Sequence, residues 1–147
     1  MEIHSFDNRF SKQVSELIRN TLREINSKDY SEEIIEKMCT RFSEENITNR
    51  ASNIKMVLMI ENEEVIGTAS LKDNIILTVF VSVNAQGKGV GTKLMRYLEE
   101  IASKKGFKKV LLPSSITSVS FYKKLGYKII EENINDFGKN IIVEKVL

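Results

Sequence analysis

Three glycines at alternate positions, Gly87, Gly89 and Gly91, lie in the run Gln86–Gly87–Lys88–Gly89–Val90–Gly91–Thr92. Glycine takes backbone angles that other residues avoid and lets a chain pass close to a ligand. A helical pattern follows at once, with Leu94, Met95, Leu98, Ile101 and Ala102 on one stripe. The first turn of a helix has unpaired N–H groups and a partial positive charge, so a glycine-rich turn that opens one is a seat for a phosphate or diphosphate. Lys88 and Lys93 add charge there, and the Thr92 hydroxyl adds a donor. The run lacks the G-x-x-x-x-G-K-[ST] spacing of the P-loop. It is not G-x-G-x-x-G either, because Thr92 stands three residues after Gly89. About 20 residues further on, where a dinucleotide site wants an acidic ribose partner, stands Val110–Leu112. A tight strand-to-helix turn with no ligand is the plain alternative, and three alternating glycines behind an apolar strand weigh against it.

Other reactive side chains are few. Cys39 is the only cysteine, so no intrachain disulfide forms and a reducing cytoplasm is expected. It falls on the apolar side of a helical pattern and reads as core. His4 is the only histidine and sits near a terminus, where a structural role is expected. One His and one Cys give no basis for a zinc site, and no metal is expected.

The elements that must position the turn can be read from periodicity. Met1–Phe6 alternates weakly, as a short strand. Residues 10–26 read as an amphipathic helix through Val14, Leu17, Ile18, Thr21, Leu22 and Ile25. Asp29 or Ser31 caps a second helix with Ile34, Ile35, Met38, Cys39 and Phe42 on its apolar side, fraying into the polar stretch Ser43–Asn53. Lys55–Ile60 and Val65–Leu71 read as a hairpin turning at Asn62–Glu64. Ile75–Val83, apolar on both faces, reads as a central strand. After the glycine turn and its helix, Gly106 marks a stop. Lys108–Leu112 is a short strand, Ile116–Leu125 a short helix, and Tyr127–Glu132 and Asn140–Val146 are closing strands joined by Asn133–Lys139. One βαβ crossover inside an otherwise antiparallel order implies a mixed α+β fold.

Composition bounds the rest. The chain has 147 residues, 41% hydrophobic and 29% charged, which suits one globular domain spanning 1–147. Apolar runs are only a few residues long, and MEIHSFDNRF shows no signal segment, so no membrane association is expected. The net charge of +2 hides an asymmetry. Residues 1–73 hold 10 basic and 14 acidic residues, and residues 74–147 hold 12 and 6. A basic second half suits an anionic ligand, and an acidic first half hints at a cationic one. The lysines come in pairs with few aromatics among them, so no nucleic-acid partner is expected.

Two segments together resemble the GNAT superfamily of acetyl-CoA-dependent N-acetyltransferases. Gln86–Gly87–Lys88–Gly89–Val90–Gly91 matches that family's Q/R-x-x-G-x-G/A motif at each defined position. Phe121–Tyr122–Lys123–Lys124–Leu125–Gly126–Tyr127 matches its aromatic-Tyr-x-x-hydrophobic-Gly-aromatic box. The two lie about 30 residues apart with a helix and a strand between them. The resemblance implies a mixed, mostly antiparallel sheet of six to seven strands with about four helices, splayed at the central βαβ unit. It implies that acetyl-CoA is the co-substrate. Its diphosphate would rest on the turn formed by Gln86, Gly87, Lys88, Gly89, Val90, Gly91 and Thr92. Its pantetheine arm would run beside Val79, Phe80 and Val81, with a backbone N–H near Val81 polarising the thioester carbonyl. Tyr122 would protonate the leaving thiolate. The acceptor would be an amine of a small molecule or peptide, attacking directly in a ternary complex; a homodimer is compatible with this reading.

Two positions depart from the pattern. Seven residues before Tyr122, where many members place Asn, stands Ser115, a shorter hydrogen-bonding partner for the coenzyme. The strand Ile75–Val83 carries Thr78 and Ser82 but no carboxylate, so the general base is left open. The missing carboxylate motivates a competing reading, a non-catalytic acyl-CoA-binding sensor or regulator. A third, a binder of ATP or NAD, needs only the glycine turn.

Overall fold

The apolar hairpin Lys55–Glu61 (β2) and Glu64–Lys72 (β3) forms around Asn62 and Glu63, both at positive φ, 52° and 66°. That pair of angles is what a two-residue type I′ hairpin requires. The computed structural model describes residues 1–147. Its seven strands make one sheet, with Glu2–Ser5 (β1), Ile75–Val81 (β4), Lys109–Ser114 (β5), Lys128–Asn135 (β6) and Gly138–Val146 (β7) joining the hairpin in the order β1-β2-β3-β4-β5-β7-β6. Every neighbouring pair is antiparallel except β4 with β5. This is the expected mixed α+β architecture with its single crossover.

Five helices cover the sheet: Ser11–Glu24 (α1), Glu32–Arg41 (α2), Glu44–Ala51 (α3), Val90–Lys104 (α4) and Val119–Lys124 (α5). Alternation along β2 divides the core between two faces. Val57 and Met59 join the cluster around Leu94, Met95 and Leu98 of α4, while Met56 and Leu58 join that of Val14, Ile18 and Leu22 of α1. Cys39 is buried in the second cluster. On the first face α4 approaches closely because β3 carries Gly67; a Cβ there would meet Val90 Cγ1 at 2.6 Å.

The polar stretch Ser43–Asn53, expected to be frayed, is instead the helix α3. Only Ile47 of it is buried, so the apolar periodicity is nearly silent. Its start is encoded as that of α2 is: Ser31 and Ser43 each accept from the N–H three residues on, at 3.2 Å, and each is followed by two glutamates. Such caps with acidic first turns stabilise helix starts. The last hairpin is also longer than expected, because Asn133–Asn135 pairs with Gly138–Asn140 across a turn at 136–137.

β5 runs on through Pro113 to Ser114, two residues past its expected end. Leu111 donates its N–H toward β4, to the Asn74 carbonyl at 3.0 Å. Residue 113, two further along, turns its backbone nitrogen to the same side. There β5 has left β4, so proline forfeits no ladder bond.

Candidate active site

β4 and β5 pair at one position only, Ile75 with Leu111, reinforced by Asn74 Nδ2 donating to the Lys109 carbonyl at 3.2 Å. Beyond it the strands part. A β-bulge in β4 accompanies the parting: Thr68 pairs with Phe80 and Ser70 with Leu77, so two β4 residues, Thr78 and Val79, oppose Ala69 alone. Thr78 sits at φ 49°, a costly angle for a β-branched residue, and its Oγ1 donates to Ser70 Oγ at 2.7 Å. Bulges bend a strand and cluster beside functional sites.

The gap is a cleft of about 640 Å³ walled by β4 from Ile76 to Val81 and by Leu112 and Pro113 of β5. On β4, Ser82 N–H donates to the Ile66 carbonyl at 2.9 Å, so the strand's alternation turns the Val81 N–H away from β3 and into the gap.

The glycine turn closes one end. Gly87 and Gly89 have φ of 78° and 79°, and a Cβ on either would meet nothing within 4 Å, so conformation, not crowding, requires them. At Gly91 the reason is space: a Cβ would lie 3.0 Å from Phe121 Cζ. Gly89 occupies the cap position of α4 and no side chain caps the helix, so its first-turn N–H groups are unclaimed by the chain. Gln86 uses its side chain to brace the turn, donating Nε2 to the Val81 carbonyl at 2.8 Å.

Tyr122 closes the other side. It is 4% exposed, edge-on to Phe121 and Tyr127 with ring centres at 5.1 and 5.9 Å. Its hydroxyl makes no hydrogen bond within the chain; since no buried side-chain polar atom lacks a partner, the group opens onto the cleft that Tyr122 lines. Burial pushes its pKa up from the usual 10, so it stays a proton donor. Tyr127, by contrast, donates to Glu99 Oε2 at 2.7 Å inside the core.

Val79, Phe80, Val81, Gln86, Gly87, Gly89, Val90, Gly91, Thr92, Ser115 and Tyr122 all line the cleft. Lys88 does not: between two glycines at positive φ it is carried out to solvent. Ser115 is already engaged, its Oγ accepting from the Ser118 N–H at 3.2 Å as part of the turn that leads into α5. That turn is why the short helix starts at Val119 rather than Ile116.

The other walls come from the N-terminal helices and the 133–139 segment, where the sequence offers no motif to single out residues. Tyr30 donates its hydroxyl to the Lys139 carbonyl at 2.8 Å and accepts the Ile116 N–H at 2.9 Å, joining the β6–β7 hairpin to the segment before α5. Arg41, Arg50, Phe42 and Phe137 complete that end. No motif marks these residues; they converge only through the packing of α2 and α3 beside the hairpin. No Asp or Glu lines the cleft. The acidic first half of the chain therefore places no carboxylate on the cleft wall. His4 lies on β1, 3.4 Å from Glu2, and is no part of the wall. No three of the His, Cys, Asp and Glu side chains gather where they could share a metal ion.

Residues 26–142 match the model of the acetyltransferase (GNAT) domain. No curated protein matches the chain by sequence. Among solved structures, the chain is similar to a GCN5-related N-acetyltransferase from Rhodopseudomonas palustris, with a TM-score of 0.93 and 22% identity over 99% of this chain and 95% of that one. It is also similar to the PaiA N-acetyltransferase of Thermoplasma acidophilum in complex with coenzyme A, with a TM-score of 0.83 and 24% identity over 99% and 98%. An aminoglycoside 6′-N-acetyltransferase complexed with coenzyme A gives a TM-score of 0.74 and 19% identity over 99% and 97%. These three likenesses, at such identities, concern the fold.

Proposed function

Because the chain belongs to the GNAT acetyltransferase family, we propose that residues 1–147 act as one domain that moves an acetyl group from acetyl-CoA to an amine. The amine attacks directly in a ternary complex. The observation that carries this is the uncapped, glycine-opened start of α4 at one end of the same cleft into which the Tyr122 hydroxyl opens.

The cleft fits the coenzyme on its own chemistry. The N–H groups of Gly87–Thr92 suit a diphosphate, and the open edge of β4 at Val79–Val81 suits an amide-bearing arm lying alongside it. When bound, acetyl-CoA supplies a thioester whose C–S bond breaks as the N–C bond forms; nitrogen loses a proton and sulfur gains one. The Val81 N–H, turned into the gap, would be the donor to the thioester carbonyl oxygen, on which negative charge builds during attack. Tyr122 donates to the leaving sulfur. With no carboxylate on the wall, the amine sheds its proton to water or arrives neutral, aided by desolvation in a largely apolar gap. Cys39 is buried away from this chemistry and its thiol is pushed up by burial, so no acyl-enzyme is formed on it.

Purified protein with acetyl-CoA and a panel of amines should release free thiol. Tight coenzyme binding with no acetylation of any amine would favour the sensor reading, which the carboxylate-free cleft supports. Stabilisation by ATP or NAD but not by coenzyme A would overturn both.

A further inference from the structure

Two guanidiniums stand on the α1–α3 side of the sheet, the face opposite α4. Arg41 lies over the Phe137 ring at 4.5 Å and Arg50 over the Phe42 ring at 4.9 Å. Phe42, which Arg41 also approaches at 6.0 Å, meets Phe80 of β4 edge-on at 5.8 Å, and both arginines line the same cleft as that strand. Neither makes a salt bridge, and neither side chain donates a hydrogen bond within the chain. The third cation on the wall, Lys139, is answered by Glu132 at 3.4 Å. On their outer side the same two arginines, with Asn46, Asn49 and Asn53, line a second, shallower hollow of about 330 Å³, again without a carboxylate.

Each arginine stands in the last turn of a helix, where a positive charge answers the helix dipole. That explains a basic residue at each place but not the geometry. A guanidinium serving only its helix end would turn to the last carbonyls or to water. These two are brought to one wall and stacked on aromatic faces, which holds the fork in place and leaves its N–H edge free for a planar oxyanion. Burial, and then the charge of Arg41, lower the pKa of Arg50 below the usual guanidinium range, in keeping with two like charges that no internal acid neutralises.

We propose that the acetyl acceptor is a small amine bearing its own oxyanion, a carboxylate or a phosphate, which Arg41 and Arg50 grip while the amino group faces the thioester. The part played by the amine rests on the acetyl-transfer reading above; the anion subsite rests on the arginines alone. This reverses the cationic acceptor suggested by the acidic first half of the sequence.

The test uses the full chain with acetyl-CoA and four acceptors of similar size: an α-amino acid, its neutral amide, an aminoalkylphosphonate and a diamine. Thiol release should favour the carboxylate or the phosphonate over the amide by at least about tenfold, the scale of one charge-assisted hydrogen bond, and the preferred acid identifies the oxyanion. Arg41→Gln and Arg50→Gln should each raise KM for that acceptor about tenfold and leave KM for acetyl-CoA unchanged. Arg41→Lys and Arg50→Lys, which keep the charge but lose the fork, should recover part of the loss. Equal turnover of the diamine, or variants that raise KM for acetyl-CoA instead, would overturn the proposal. Should no amine react, calorimetric titration of the coenzyme A-loaded protein with N-acetyl amino acids separates the two readings. Binding that weakens about tenfold in Arg41→Gln keeps the anion subsite and sinks the transfer. Binding that is absent, or indifferent to the variant, sinks the subsite.

Discussion

A phenol that burial holds protonated can give a proton but cannot take one, and this fixes what Tyr122 can do. Toward a free thiol of pKa about 8.5 a raised phenol is a weak acid, but a thiolate released in the same apolar wall is itself made more basic. Tyr122→Phe should therefore lower kcat by about 10- to 100-fold, at or below the usual range for general acids, with KM for acetyl-CoA nearly unchanged. In the wild type, kcat/KM should climb with pH along the acceptor amine's own titration, since the wall has no carboxylate to impose a limb near pH 4–5. It should not fall near pH 10, because Tyr122 keeps its proton there. The glycines separate by cause. Gly89→Ala strains a left-handed cap by about 1–2 kcal/mol and should weaken coenzyme binding without crowding anything. Gly91→Ala instead presses on Phe121 and should be read mainly as a loss of stability.

At the scale of elements, the hairpin turn Asn62–Glu63 is well placed but poorly filled at its second position. Glu63→Gly, giving the Asn-Gly pair that type I′ turns prefer, should raise stability by about 0.5–1 kcal/mol in chemical denaturation. Elements of this kind were legible in the sequence because their patterns are local. The α4 stripe and the β-branched run from Ile75 needed no tertiary context; the first lies where expected, and the second starts at Ile75 but ends as a strand at Val81 rather than Val83, where the chain turns. What escaped was written in long-range geometry. Helix α3 offers one buried residue, Ile47, and only its Ser43–Glu44–Glu45 cap announced it. Pro113 masked the end of β5, because whether proline breaks a strand depends on which side of it has a partner. The turn proposed for the coenzyme was readable since backbone turns advertise themselves through glycine spacing. The residues proposed for the acceptor were not, for Tyr30, Arg41, Arg50 and Phe137 share no motif and meet only after folding.

For the molecule as a whole, the contrast between an acidic first half and a basic second half dissolves on folding. Glu32, Glu33, Glu44 and Glu45 occupy helix starts, while Arg41 and Arg50 occupy helix ends that reach the cleft. The segment richest in acid thus presents positive charge to the cleft. No helix is long and apolar enough to cross a membrane. Three of the four tyrosines, Tyr30, Tyr122 and Tyr127, have pKa values raised by burial. Below pH 10 folded and unfolded chains both keep these protons. Above it the unfolded chain loses them first, so thermal stability should be insensitive to these groups up to about pH 10 and fall beyond it. Melting curves from pH 8 to 11, followed with tyrosinate absorbance, would show the ionisation arriving together with unfolding. Tyr30 carries one more consequence. Its single hydroxyl fastens the strip before α5, which leads to Tyr122, to the hairpin that overhangs the arginines. Tyr30→Phe should cost about 1–3 kcal/mol and leave two backbone groups unanswered. Hydrogen exchange should then quicken at Ile116 and around Lys139 in the same step, since one rivet secures both banks of the cleft.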